Sequence, residues 1–176
     1  MKTERGKAII ALGSNLAHDG LSGGALLLKA LDEVESQGLR VQATSSVWQS
    51  APWPPGDATA GQANYANAIA LCDASVRNPA EIVALLQRVE QMFGRIRSAR
   101  WAARTMDLDL IDLDGMSGAF DGIILPHPRA HERGFVLAPL VEVAPEWRHP
   151  ELKRTAAELL AGLPPDPSLQ RLAALR

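Results

Sequence analysis

Cysteine is almost missing from this chain: Cys72 is the only one. That excludes an internal disulfide and any cysteine-based zinc site, and it reads as a protein of a reduced compartment, the cytoplasm. Lysine is scarce as well. Of 18 basic residues only Lys2, Lys7, Lys29 and Lys153 are lysines, and none sits in a G-x-x-x-x-G-K pattern. A P-loop is therefore absent, and a polyphosphate would have to be held by arginine forks instead. A strong charge of one sign is lacking too. The net charge of -2 argues against a general nucleic-acid or anionic-membrane binder. No apolar run approaches the roughly 18 residues of a membrane span. The opening MKTERGKAIIALGSN is too short in its apolar part for a secretory signal and reads as a first strand.

What is present is an ordinary globular composition, 47% hydrophobic and 22% charged over 176 residues, enough for one domain spanning 1–176 with a proper core. No repeat or long low-complexity linker divides it. Residues 7–12 read as a buried strand closed by Gly13, Ser14 and Asn15. Leu26, Leu27, Ala30, Leu31 and Val34 recur at helical spacing within 22–37, and Gly38 supplies the stop. Residues 39–48 read as the next strand, 49–62 as a long Pro/Gly-rich loop, and 64–72 as a third strand. That third strand has Tyr65 and Asn67 on one face and Ala66, Ala68 and Ala70 on the other. Asn78 caps a second helix that starts at Pro79 and stops at Gly94. A strand over about 105–113 follows, with 122–125 as its hairpin partner. Helices are expected over 133–142 and 154–161. Strand–helix–strand–strand–helix–strand is the ferredoxin-like α+β order, a mainly antiparallel sheet with helices packed on one side, plus the C-terminal helices.

The segment RSARWAARTMDLDLIDLDG, Arg97 to Gly115, is chemically the most pointed. Met106, Leu108 and Leu110 face a core if the stretch is extended, and Asp107 and Asp109 share the other face, about 6.6 Å apart along the strand. Carboxylates so placed reach two magnesium ions held about 3.5–4 Å apart. Two like charges on one face also demand a compensating cation. On pattern alone, a solvent-facing edge of an amphipathic strand explains D-x-D equally well. Asp112 and Asp114 are out of phase with the first pair and read as turn chemistry before Gly115. A calcium loop fits poorly, because its first position would fall on Leu110.

Arg95, Arg97, Arg100 and Arg104 precede the carboxylates, with Trp101 among them as a flat stacking face. A solvated loop rich in exposed arginine is the simpler account. Cationic forks leading directly into a metal-binding D-x-D are also what phosphoryl transfer needs, and a two-metal phosphohydrolase or nuclease needs the same parts. Further on, Pro126 and Pro128 bracket His127 in a rigid loop. His127 and Arg133 offer donors to a phosphate, while Phe135 fits a core as well as it fits a site. An RNA-binding module requires aromatics exposed on central strands, and only Tyr65 qualifies.

ALGSNL, SSVWQSAP, YANAIAL, RWAARTMDLDLI and LPHPRAHERGFVLAPL occur in one order and spacing, over about 7–147, that resembles the 6-hydroxymethyl-7,8-dihydropterin pyrophosphokinases. The resemblance implies a ferredoxin-like fold and a magnesium-dependent transfer of the pyrophosphoryl group of ATP to the pterin hydroxymethyl oxygen. AMP is released, in folate biosynthesis. It implies that Asp107 and Asp109 hold two magnesium ions with the ATP. Gln87, Arg97, Trp101, Arg104, Leu110, His127 and Arg133 fall where the family contacts the nucleotide. Arg95, with Arg97 and Arg104, belongs to its catalytic arginines, Arg95 on a loop that closes during catalysis. Tyr65 and Phe135 match the aromatic faces that sandwich the pterin, and Asn67 the residue bonding its ring edge. Ser50, Pro52 and Trp53 match loop contacts to the same ring, and Gly13 is grouped with them. ATP and the pterin are the implied partners, with no nucleic acid and no membrane, for a monomer. Three positions depart from the family pattern: Ala102-Ala103 in place of Gly-Pro, Pro128 in place of tyrosine, and the bulky Trp53. None removes a metal ligand.

Overall fold

The computed structural model describes residues 6–74, 78–94 and 102–176. Expected strands condense into one sheet. β1 (Gly6–Ser14) lies between β4 (Tyr65–Ala74) and β5 (Asp107–Leu113), and β4 continues to β2 (Leu39–Thr44) and β3 (Ser46–Ser50). Every pair is antiparallel, and the order β5-β1-β4-β2/β3 is the ferredoxin-like one.

Alternation along the strands gives the sheet two apolar faces. Ala8, Ile10 and Leu12 of β1, Ala68, Ala70 and Cys72 of β4, and Leu108 and Leu110 of β5 share one core. Two helices cover it: α1 (Gly23–Ser36) through Leu26, Leu27 and Leu31, and α2 (Pro79–Met92) through Ile82, Leu86 and Val89. Each fully buried leucine on α1 contributes about 1.5–3 kcal/mol. The cap of α2 is as expected, since Asn78 Oδ1 accepts from the Ala80 amide at 2.9 Å.

Helices do not stay on one side. α3 (Gly134–Val143) and α4 (Ala156–Ala161) cover the opposite face, where Ile9, Ile69 and Ile111 meet Val136, Leu137, Leu140 and Leu159. Ile9 and Ile69 supply the apolar residues that this second face requires.

Three other differences have local causes. The strand expected over 39–48 breaks at Ser45, whose hydroxyl takes the Ile69 amide at 2.9 Å and shifts the register by one. Residues 123–125 do not pair with β5. They form β7 (Ile123–Leu125), whose partner is β6 (Gly118–Phe120) across Asp121-Gly122, both at positive φ. Finally, the chain returns after α4 to add β8 (Gln170–Ala174) beside β3. Leu175 then enters the core, and Arg176 pairs with Asp32 and Glu35 on α1.

At the far end of β5 a bulge opposite Ile9/Ile10 turns Asp112 toward Trp147. Asp112 accepts from the Gly115 amide at 2.8 Å and from Trp147 Nε1 at 3.3 Å, so the expected turn chemistry is joined by a tie to the segment after α3.

Candidate active site

The register places the site. On the face covered by α3, Asp107 of β5 lies opposite Gly13 of β1, and Gly13 lies opposite Asn67 of β4. Gly13 brings no side chain, so the sheet has a bare floor between the carboxylates and Asn67. A Cβ there would come to 3.6 Å from Asn67 Oδ1 and 3.7 Å from Tyr65 Cδ1, which shows how closely both flank it. Above this floor is a cavity of about 210 Å³. Its walls include Tyr65 and Asn67 on one side, Asp107, Asp109 and Arg104 on another, and Phe135 and Arg133 from the start of α3.

Asn67 is oriented by its neighbours. Its Nδ2 donates to Ser50 Oγ at 3.0 Å and to the Trp48 carbonyl at 3.1 Å. Both amide protons are used, which leaves Oδ1 as the acceptor beside Gly13. Trp53 arrives from the long loop and lies over Arg129 and Arg133, whose guanidinium carbons are 4.0 and 5.0 Å from its ring centre.

Asp107 and Asp109 point the same way and line the same cavity, as i, i+2 alternation requires. Arg104 Nη1 donates to Asp107 Oδ1. Burial works against the Arg104 charge, but the Asp107 carboxylate outweighs it and holds the guanidinium above its ordinary value. Arg104 is itself fixed by Asn15, whose Oδ1 accepts the Arg104 amide at 2.8 Å. Asp109 has Arg133 Nη1 at 3.7 Å and His127 Nε2 at 3.8 Å. Burial, then the Asp107 charge, push the Asp109 carboxyl up to about 7, against the pull of Arg133. Its side chain remains 35% exposed toward the cavity. The pair is thus a crowded anion, the condition a bound cation relieves.

His127 is held neutral. Burial first, then Arg133, bring its imidazole down to about 4. Its Nδ1 accepts the Arg129 amide at 3.2 Å, so Nε2 carries the proton and faces Asp109. Its own amide donates to the Ile111 carbonyl at 2.8 Å, which fixes the loop against β5. Burial lowers Arg133, and Asp109 opposes that. Arg133 Nε is buried with no partner among the described residues.

A second cavity, about 330 Å³, lies between α2, β5 and β7 and is lined by Gln87, Glu90, Leu110, Ile123 and Pro128. Asp109 and His127 line both cavities. Of the residues singled out in the sequence, Gly13, Ser50, Trp53, Tyr65, Asn67, Arg104, Asp107, Arg133 and Phe135 border the first cavity, and Gln87 and Leu110 the second. Pro52 does not line either. Arg95, Arg97 and Trp101 lie outside the described residues.

Sequence reasoning missed three participants. Glu90, 4% exposed, accepts the Leu108 amide at 2.7 Å and binds α2 to the acidic strand. Asn15 resembled an ordinary turn residue. Arg129 stands in the LPHPRAHERGF stretch, but its contact had no signal, because its partner Trp53 is remote in sequence.

Residues 9–145 match the model of the family described as 7,8-dihydro-6-hydroxymethylpterin-pyrophosphokinase. A Synechocystis protein named 2-amino-4-hydroxy-6-hydroxymethyldihydropteridine pyrophosphokinase is 34% identical, over 87% of this chain and 74% of its own. A Bacillus subtilis protein of the same name is 35% identical, over 86% of this chain and 84% of its own. Among solved structures, wild-type Plasmodium falciparum HPPK-DHPS with pteroate superposes with a TM-score of 0.66 at 12% identity, over 92% of this chain. This chain spans 43% of that one, and the likeness concerns the fold.

Proposed function

Because the chain belongs to the 7,8-dihydro-6-hydroxymethylpterin-pyrophosphokinase family, we propose the following division of labour for its reaction. The reaction is transfer of the pyrophosphoryl group of ATP to the hydroxymethyl oxygen of 6-hydroxymethyl-7,8-dihydropterin, in folate synthesis. The first cavity holds the pterin and the second the nucleotide. The observation that supports this most is that Asp109 and His127 border both, so the two substrates meet over the carboxylate pair.

The pterin ring lies on the bare floor at Gly13, between the rings of Tyr65 and Phe135. Asn67 Oδ1 accepts from the ring edge, and the Ser50–Trp53 loop closes one side. Gln87 and Leu110 contact the nucleotide from α2 and β5, and His127 and Arg133 donate to its phosphates. Arg133 Nε, which lacks a partner among the described residues, suits that role. Arg95, Arg97 and Trp101 complete the nucleotide side. The hydroxymethyl oxygen forms a bond to the β-phosphorus and loses its proton to solvent, while the bond from that phosphorus to the α–β bridging oxygen breaks and AMP leaves with that oxygen. Positioning and charge neutralisation supply most of the acceleration.

Asp107 and Asp109 fit two magnesium ions. They are hard oxygen donors, crowded enough to need a cation. Among the described residues no cluster of three or more His, Cys, Asp or Glu surrounds them. Phosphate oxygens and water would supply the remaining ligands, which is how magnesium is usually held. When bound, the ions neutralise the charge on the transferring group. Around them, Arg104 holds Asp107 in place, and Arg133 and the neutral His127 flank Asp109. The loop near 49–62 serves as a lid that keeps water out.

The protein acts as a monomer in this reading. The buried free Cys72 is compatible with a reducing, cytoplasmic setting. Among the described residues no helix is long and apolar enough to cross a membrane.

The test is product analysis. With ATP, magnesium and the pterin, AMP and pterin diphosphate should form one for one. AMP release that ignores the pterin, or phosphate release without pterin diphosphate, would instead indicate a two-metal hydrolase.

A further inference from the structure

The C-terminal segment touches both walls of the first cavity, and no part of the reaction scheme above uses it. Ser168 Oγ accepts the Ala51 amide at 2.9 Å. Ala51 lines the cavity between Ser50 and Trp53. Ser168 is itself held, because its amide and hydroxyl both donate to Asp166 Oδ1, at 2.9 and 2.6 Å. With its proton committed to Asp166, the hydroxyl is presented to Ala51 as an acceptor.

The next residue reaches the opposite wall. A Cβ on Gly134 would meet Leu169 Cδ2 at 3.3 Å, so Leu169 packs directly on the backbone that precedes Phe135. Beyond it the chain becomes β8, with Gln170 opposite Gln49 and Arg171 opposite Trp48. β3 ends at Ser50, so the strand that delivers the loop is paired with the segment that ties it. Arg171 continues the connection by bonding Glu142 at 2.8 Å on α3.

We propose that residues 166–169 form a strap that sets the spacing between the Ser50–Trp53 loop and Phe135, with Ser168 as a positioning residue for the pterin. This rests on reading the first cavity as the pterin site. β5, which carries Leu110, and β8, into which the strap runs, are opposite edges of the sheet, so the strap acts on one substrate and not on the other.

The experiment uses the full chain and measures equilibrium affinity for the pterin and, separately, for magnesium-ATP. Ser168→Ala should weaken pterin binding about three- to tenfold, the loss expected for one hydrogen bond that orders a binding loop. Affinity for ATP should stay at the wild-type value. Ser168→Thr, which keeps the hydroxyl, should restore pterin binding. Leu169→Ala should also weaken the pterin selectively. Unchanged pterin affinity in both Ser168→Ala and Leu169→Ala overturns the strap, as does equal weakening of both substrates. Failure of the wild-type chain itself to bind the pterin would overturn the reading of the cavity, and the strap with it.

Discussion

Replacing either Asp107 or Asp109 by alanine is expected to lower turnover by about a thousandfold or more, with pterin affinity kept within a few fold. The size follows from what each carboxylate does. Charge neutralisation by a bound ion is worth several kcal/mol in the transition state, and every 1.36 kcal/mol is a factor of ten. The selectivity follows from position. Gly13 separates the acids from Asn67 across the sheet, so the groups that would grip the ring are not the ones removed.

Stability should move the other way or not at all. Burial and the Asp107 charge both raise the Asp109 carboxyl, so the pair is mutually repelling in the folded protein. Removing Asp109 relieves that repulsion, and an unchanged or raised melting temperature should accompany the lost activity. Asp107→Ala, in contrast, also takes the carboxylate from Arg104 and should gain no stability. Asp107→Asn and Asp109→Asn, which keep the shape, should behave alike. Steady-state kinetics and thermal melts on the same samples decide it, and near-normal turnover in either alanine variant would contradict the assignment.

Tyr65→Ala should produce the second large effect, on a different quantity. The ring stands at the start of β4, opposite Ser50 of β3, and borders the bare floor at Gly13. An aromatic wall contributes its buried area and about 0.5–1.5 kcal/mol of ring geometry, so loss of it should raise the pterin dissociation constant about 10- to 100-fold. ATP affinity should not follow. Titration of each substrate separates the two. Unaltered activity with unaltered pterin binding would show that the floor and its flanking ring are not the pterin site. A two-metal hydrolase would give that result.

The two variants report on parts that differed in legibility. Asp107 and Asp109 could be read from sequence because their spacing is two and a strand alternates with the same period, while Met106, Leu108 and Leu110 fix which face is buried. α2 was equally open, with Asn78, Pro79 and Gly94 punctuating an apolar stripe. In each case the deciding interactions lie within a few residues.

Elsewhere the deciding partner was far along the chain. β8 has no strand signal in QRLAA. Its five residues are exposed, and it is held by pairing with β3 and by Arg171 and Arg176 reaching acids on α3 and α1. The second layer of helices required Ile9, Ile69 and Ile111 to be recognised as a shared face, though they come from three strands. The Ser45 break depended on the Ile69 amide. Arg129 is informative only beside Trp53. The meeting of two cavities at Asp109 and His127 is likewise a property of packed α2, β5 and α3.

The direct test is a diffraction experiment on the chain bound to the pterin, manganese and an ATP analogue that cannot be cleaved between its α- and β-phosphates. The anomalous signal of manganese locates the ions without assumption. Two peaks about 3.5–4 Å apart, each within coordination distance of Asp107 or Asp109 and of phosphate oxygens, are predicted. Manganese bound away from both carboxylates, or a nucleotide whose phosphates do not approach them, would contradict the account.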